Sequence, residues 1–334
     1  MPDVLITPEK LLNQPAAPYI RLLQEAGFQI RYPDDPQFTR GHGTEEETIR
    51  QLQGVDALIA GGEHITPRVL DNVSNLRVIA RSGVGFDRVD IPAATRHGIP
   101  VAITPTSNHE AVAEQTLALI FGVAKSVVIN DRRVRDGDWN HILTRPIRGQ
   151  TLGLFGLGRI GRSTAIRGRS LGMRVIATEQ FPDAEFLAAH AVELVDFDRL
   201  LAESDYLSIH CPLNASTRDL FDASVFDRMR RGSVLINTAR GGLVVEDDLL
   251  AALRSGQLSA AGLDVFAAEP TPVSNPLLKL DNVVLSPHLA GTDERSMEDM
   301  GIESAENIIA LYSGDWPTGA IVNDELRNGW TWAT

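Results

Sequence analysis

The stretch Thr151-Leu152-Gly153-Leu154-Phe155-Gly156-Leu157-Gly158-Arg159-Ile160-Gly161 sets an apolar run directly against a Gly-x-Gly-x-x-Gly loop. Alone, that loop pattern is weak in a chain holding 28 glycines. Its flanks supply the specificity. Leu152–Phe155 reads as a buried strand, and Ile160–Leu171, stopped by Gly172, reads as a helix. Gly156 permits a tight turn, Gly158 lets backbone approach a pyrophosphate, and Gly161 allows close helix–strand packing. The helix N-terminus then offers free N–H groups and partial positive charge to phosphates. The following strand, Arg174–Thr178, leads to Glu179, eighteen residues past Gly161. A carboxylate at about that spacing accepts hydrogen bonds from an adenosine ribose and repels a 2′-phosphate, favouring NAD over NADP. The plain alternative for Glu179 is a solvated turn residue.

Strand–helix alternation extends outward from this loop in both directions, the pattern of α/β proteins built on parallel sheets. Downstream strands are expected at Val192–Leu194, Tyr206–His210, Val234–Thr238, Ala260–Asp264 and Val283–Ser286. Upstream, a separate series runs Val4–Thr7, Phe28–Tyr32, Ala57–Ala60, Leu76–Ala80 and Pro100–Ile103. Between these lie helices Tyr19–Ala26, Glu45–Gln53 and Ile91–His97, each stopped by a glycine that caps a last turn cheaply. One long helix, Asn108–Arg135, and an irregular stretch, Asp136–Gln150, join the two series. A final helix, about Glu294–Tyr312, precedes a polar tail carrying Trp330 and Trp332. A helix that follows a complete sheet often packs back on the earlier domain. The expected organisation is therefore a discontinuous flavodoxin-like substrate domain, 1–103 with 290–334, and a Rossmann domain, 104–289. A cleft would separate the two parallel-sheet domains, with hinges near 104 and 290.

Composition narrows the function. The 334 residues carry 31 Lys and Arg against 44 Asp and Glu, a net charge of −13. That balance offers no global field for nucleic acid or an anionic membrane. Hydrophobic residues at 43% and charged residues at 22% are those of an ordinary globular chain. The single cysteine, Cys211, can build neither an internal disulfide nor a thiolate cage, which suits a reducing cytoplasm. The N-terminus is charged early, at Asp3, Glu9 and Lys10, and has no signal-peptide core. The most apolar stretch, Ala111–Ile129, is interrupted by Glu114 and Lys125 and reads as a buried helix. No metal-ligand spacing of His and carboxylates stands out. Cys211 reads as buried filler, and His210 as a residue packed at the same strand end.

Ligands of open α/β sheets sit beyond the carboxyl ends of the strands. Three late strands deliver Arg240, Glu269 and His288 there. This trio suits oxidation of a 2-hydroxy acid by NAD. A His takes the hydroxyl proton near neutral pH and returns it in reverse. A Glu on the far ring nitrogen sets the tautomer and stabilises the imidazolium. An Arg bridges the substrate carboxylate and carbonyl oxygen. Ion-pair, solvated-loop and packed-histidine roles are the plain alternatives. In the first domain, Ser82-Gly83-Val84-Gly85 follows a strand and suits an anion nest of converging N–H groups, or a simple turn.

Asn237-Thr238-Ala239-Arg240-Gly241, Asp264-Val265-Phe266 through Glu269-Pro270, Ser286-Pro287-His288, the glycine loop and Ser82–Asp87 together resemble the D-isomer-specific 2-hydroxyacid dehydrogenases. The resemblance covers nearly the whole chain. It implies Arg240, Glu269 and His288 as the catalytic three. NAD contacts would come from Gly156, Gly158, Arg159, Ile160, Gly161, Glu179, Pro212, Thr217, Thr238, Ala239, Asp264 and His288, with Asp264 on the nicotinamide carboxamide. Gly83 and Val84 would hold the substrate carboxylate, and a homodimer would pair through its nucleotide domains.

Among members, phosphoglycerate dehydrogenases look nearest, through Arg81–Gly85, Asn108 and Val112-Ala113-Glu114. Where those enzymes carry a phosphate-binding Arg, this chain has Gly61-Gly62-Glu63-His64, and Glu63 would repel a phosphate. Arg81, or Arg132, Arg133 or Arg135 reaching a partner's site, would be the remaining cations. The chain ends without room for a regulatory extension. Phosphoglycerate and a non-phosphorylated acid such as glycerate or glycolate are equally open. A phosphite dehydrogenase shares the trio, whereas formate dehydrogenases have Gln in place of Glu269. An NAD-sensing corepressor shares fold and trio but works as an interaction module.

Overall fold

The apolar runs form the strands of two wholly parallel sheets in the computed structural model, which describes residues 1–35, 38 and 43–332. The chain divides into two units, Met1–Asn108 with Thr292–Thr334, and His109–Gly291. The first unit contains β1 (Asp3–Ile6), β2 (Gln29–Arg31), β3 (Ala57–Ala60), β4 (Val78–Arg81) and β5 (Val101–Ala102), ordered β2-β1-β3-β4-β5. That is the flavodoxin-like order. Side chains alternate cleanly between two cores. Val4, Ile6, Ile59 and Val78 face one, and Leu5, Leu58 and Ile79 face the other. The helix Glu294–Tyr312 buries Ala305, Ile308 and Leu311 in the first of these cores.

The second unit contains β6 (Thr151–Phe155), β7 (Arg174–Thr178), β8 (Val192–Leu194), β9 (Tyr206–Ile209), β10 (Ser233–Asn237), β11 (Leu258–Leu263) and β12 (Val283–Leu285). Their order is β12-β11-β10-β9-β6-β7-β8. The direction of winding reverses between β6 and β9, and the loops leaving those strands flank the crevice where such sheets bind ligands. Leu152, Leu154, Val234 and Ile236 fill one face, and Leu207, Ile209, Leu235 and Leu263 fill the other.

All twelve expected strands form, with small shifts at their ends. The apolar runs predict His210, Thr238 and Asp264 as the last residues of strands. The ladders of β9, β10 and β11 stop one residue earlier, leaving these three at the carboxyl lip. Short crossover helices that carry no marked signal in the sequence include Phe197–Glu203, Ala223–Arg228 and Glu246–Ser255.

The single long helix expected at 108–135 is two. His109–Ala124 and Val127–Arg135 meet at a bend of 56°, where Ser126 adopts a left-handed φ of 51°. Lys125 Nζ donates to Arg145 O at 2.6 Å, tying the break to the irregular stretch that follows. No single helix among the described residues is long and apolar enough to cross a membrane. The tail is not merely polar: Trp330 Nε1 donates to Gly98 O at 2.8 Å, and the rings of Trp316, Trp330 and Trp332 stack edge-on.

Candidate active site

The glycine loop turns where β6 ends. Gly156 has φ +106°, and a Cβ there would meet His210 O at 2.7 Å. A Cβ on Gly161 would collide with Gly156 O. Both glycines are thus demanded by the chain's own backbone. Gly158 differs, because a Cβ there would meet nothing within 4 Å. Its smallness leaves space outside the protein surface, where a pyrophosphate would lie. Gly158 also caps the helix Arg159–Ser170 without any side-chain hydrogen bond among the described residues, which leaves the helix's first N–H groups available to an anion. Glu179 Oε2 accepts from Leu157 N at 2.6 Å and Oε1 accepts from Phe181 N at 3.0 Å. The carboxylate is therefore tied to the glycine loop itself. Beyond β9, Thr217 Oγ1 donates to Pro212 O at 2.7 Å, bringing those two positions together. The residues present fit a dinucleotide: an anion cradle at the helix start and an acid at the ribose position.

Three further strand ends converge within the same sheet. After β10, the buried Asn237 accepts from Ala239 N at 3.0 Å and donates to Arg240 O at 2.9 Å, so the Arg240 backbone is locked. A Cβ on Gly241 would overlap the Phe266 carbonyl. Only glycine lets the Arg240 turn lie against the loop after β11. In that loop Phe266 N donates to Glu269 Oε1 at 3.0 Å. Glu269 Oε2 lies 2.7 Å from His288 Nδ1, the loop after β12 supplying the histidine. The Glu269 side chain is 20% exposed and that of His288 is 44% exposed, so the carboxylate is sheltered and the ring reaches solvent. His288 holds a left-handed φ of 50°, and its N–H donates to Asp264 O at 2.7 Å.

Asp264 is fully buried. Its carboxylate accepts from Ser286 Oγ, from Leu289 N at 3.0 Å and from Ala290 N at 2.9 Å. These bonds brace the loop after β12, and because each carboxylate oxygen accepts more than one donor they leave the expected carboxamide role of Asp264 open. Thr238 is buried against Thr116, their hydroxyls 3.0 Å apart. Burial pushes the Cys211 thiol up to about 12 and His210 down to about 4, which keeps the thiol protonated and the imidazole neutral.

In the first unit, the loop after β4 presents Val84 and Gly85. Gly83 N–H is taken by Thr104 Oγ1 at 2.8 Å, which removes it from the expected carboxylate donors. Arg81 is buried, its Nε donating to Gly85 O at 3.1 Å and its Nη1 to Gly61 O. These bonds make it a support of the loop whose residues are expected to meet the substrate. Glu63 is 3% exposed and accepts from Thr7 Oγ1 at 2.6 Å and Gly61 N at 3.1 Å. The acid thus organises a turn and does not present its charge outward. Ser82 Oγ and Asn108 Oδ1 are buried beside this loop with no partner among the described residues.

A family model described as D-isomer specific 2-hydroxyacid dehydrogenase, NAD binding domain, matches residues 117–290. The chain belongs to this family. It is 40% identical over 292 residues to a glyoxylate reductase of Thermofilum pendens, covering 85% of this chain and 86% of that protein. It is 38% identical over 274 residues to a D-3-phosphoglycerate dehydrogenase of Archaeoglobus fulgidus, covering 81% of this chain and 52% of that protein. The chain therefore spans only about half of that second relative. A crystal structure of a Thermus thermophilus protein superposes with TM-score 0.83 at 34% identity, over 96% of this chain and 99% of that one.

Within this dehydrogenase framework, residues beyond the expected list also shape the site. Asn237 and Gly241 place Arg240, and His210 closes the floor of the glycine loop. Asn237 and Gly241 lay within quoted motifs. Their roles depend on backbone neighbours brought in from other strands.

Proposed function

We propose that the protein is an NAD-dependent D-2-hydroxyacid dehydrogenase that reduces small, non-phosphorylated 2-keto acids of the glyoxylate or hydroxypyruvate kind. The observation that carries the reading is the Glu269–His288 pair at 2.7 Å on strand ends of the sheet that bears the glycine loop. Gly156–Gly161 and Glu179 would hold NAD, which would supply or accept the hydride at C2. His288 gives a proton from Nε2 to the carbonyl oxygen during reduction and takes it from the hydroxyl during oxidation. Glu269 holds Nδ1, which orients the ring and stabilises its charged form. Arg240 binds the carboxylate and polarises the C2–oxygen bond.

The substrate class is supported by the first unit. Val84 and Gly85 offer two N–H donors, whereas Arg81 and Arg88 both donate to backbone carbonyls. That suits one carboxylate and gives little to a phosphate. We also propose a homodimer through the nucleotide-binding units. Val127, Val128, Val134, Trp139 and Leu143 are exposed in one stretch of that unit, an apolar band of the kind that copies of a chain cover. The one cysteine, kept as a thiol, suits a cytoplasmic place of action.

The test is steady-state turnover of glyoxylate, hydroxypyruvate and phosphohydroxypyruvate, each with NADH and with NADPH. The first two are expected to exceed the phosphorylated acid by about 10² in kcat/KM with NADH, a margin of about 3 kcal/mol in transition-state binding. Tight NADH binding with no turnover of any acid would sink the enzyme reading.

A further inference from the structure

We propose that Glu246, the first residue of the helix Glu246–Ser255, is a positioning residue for the Glu269–His288 pair. Its Oε1 accepts from Ala267 N at 2.7 Å and its Oε2 accepts from Asn275 Nδ2 at 2.8 Å. Those two points lie before and after Glu269 in the chain. One carboxylate therefore pins both legs of the loop that carries Glu269. Asn275 is itself buried: its Oδ1 accepts from Leu277 N at 3.0 Å, and Leu277 is fully buried in the core. The helix thus transmits a fixed position from the core to the loop. Phe266 and Leu277 anchor the two flanks in the core, but between them the loop borders a cavity lined by Glu246, Asp247, Ala268, Thr271, Ser274 and Pro276, so that side gives it no packing support. Gly241 abuts the same loop at Phe266, so a shift there also changes what Arg240 faces. Misplacing a catalytic group by about 1 Å costs up to about 10² in rate.

The inference rests on His288 as proton carrier, and two measurements keep its failure apart from that one. The first needs no turnover. In the full chain, the downfield proton resonance of the His288 Nδ1–H···Oε2 hydrogen bond is assigned by its loss in Glu269→Ala and His288→Asn. It is expected to move upfield or broaden in Glu246→Gln, a variant of equal size that keeps one acceptor and so stays folded. An unchanged resonance overturns the proposal. In the second measurement, Glu246→Gln lowers kcat about 10- to 100-fold with KM for NADH unchanged, and lowers it no further when Glu269 is already Ala. Equal losses in both backgrounds would mean a merely structural acid at a helix start. If wild-type turnover is absent while the resonance responds, the functional reading falls and the positioning role stands.

Discussion

His288 is held from three sides: its N–H on Asp264 O, its Nδ1 on Glu269, and its backbone in a left-handed turn. His288→Asn keeps a side chain of similar reach but cannot exchange a proton. Its kcat is expected to fall by about 10² or more while the NADH dissociation constant stays within about twofold; stopped-flow fluorescence and turnover assays decide. Glu179 is the second informative side chain. Since it also grips Leu157 N, Glu179→Ala loses a ribose acceptor and a brace of the glycine loop at once. NADH binding should weaken by about 10-fold or more and NADPH binding by much less. Titrations showing equal losses would place the ribose acid elsewhere. Both residues stood out in the sequence because their chemistry is tied to a strand-end position. Asp264 stood out as well, yet its oxygens turn inward to Leu289 and Ala290, neighbours that no spacing in one strand announces.

At the scale of elements, two glycine-dependent approaches let strand-end loops lie against one another: Gly156 after β6 against His210 after β9, and Gly241 after β10 against Phe266 after β11. Strand positions were legible from apolar runs of three to five residues bounded by turn residues. The break after Ala124 was not. Apolar periodicity continues through Val127 and Val128, and only the left-handed backbone at Ser126 interrupts it. An L-residue there carries about 1–2 kcal/mol of strain that glycine avoids. Ser126→Gly is therefore expected to raise stability by up to about 1 kcal/mol after its extra unfolded-chain entropy, read as a higher urea midpoint. A lower midpoint would mean that the bend is supported by the serine side chain.

For the whole molecule, each unit closes a parallel sheet between two cores. The apolar band from Val127 to Leu143 has no such cover within the nucleotide-binding unit. Placing charges there by Val128→Arg with Leu143→Arg should raise a dimer dissociation constant by at least about 100-fold. Sedimentation velocity across a concentration series measures it, and a wild-type monomer at every concentration would remove the dimer proposal.

The sequence by itself determined the parallel α/β class, all twelve strands, the glycine loop and the three strand-end residues. Hydrophobic period, glycine placement and residue chemistry are local properties, written along the chain. Tertiary structure decided which polar groups are spent inside. Arg81, Glu63, Gly83 and Asp264 each had an outward role open to them, and each is claimed by a hydrogen-bond partner from its own unit. A buried donor or acceptor must find a partner or cost about 1–3 kcal/mol, and which partner lies within reach is set only when strands distant in sequence stand side by side.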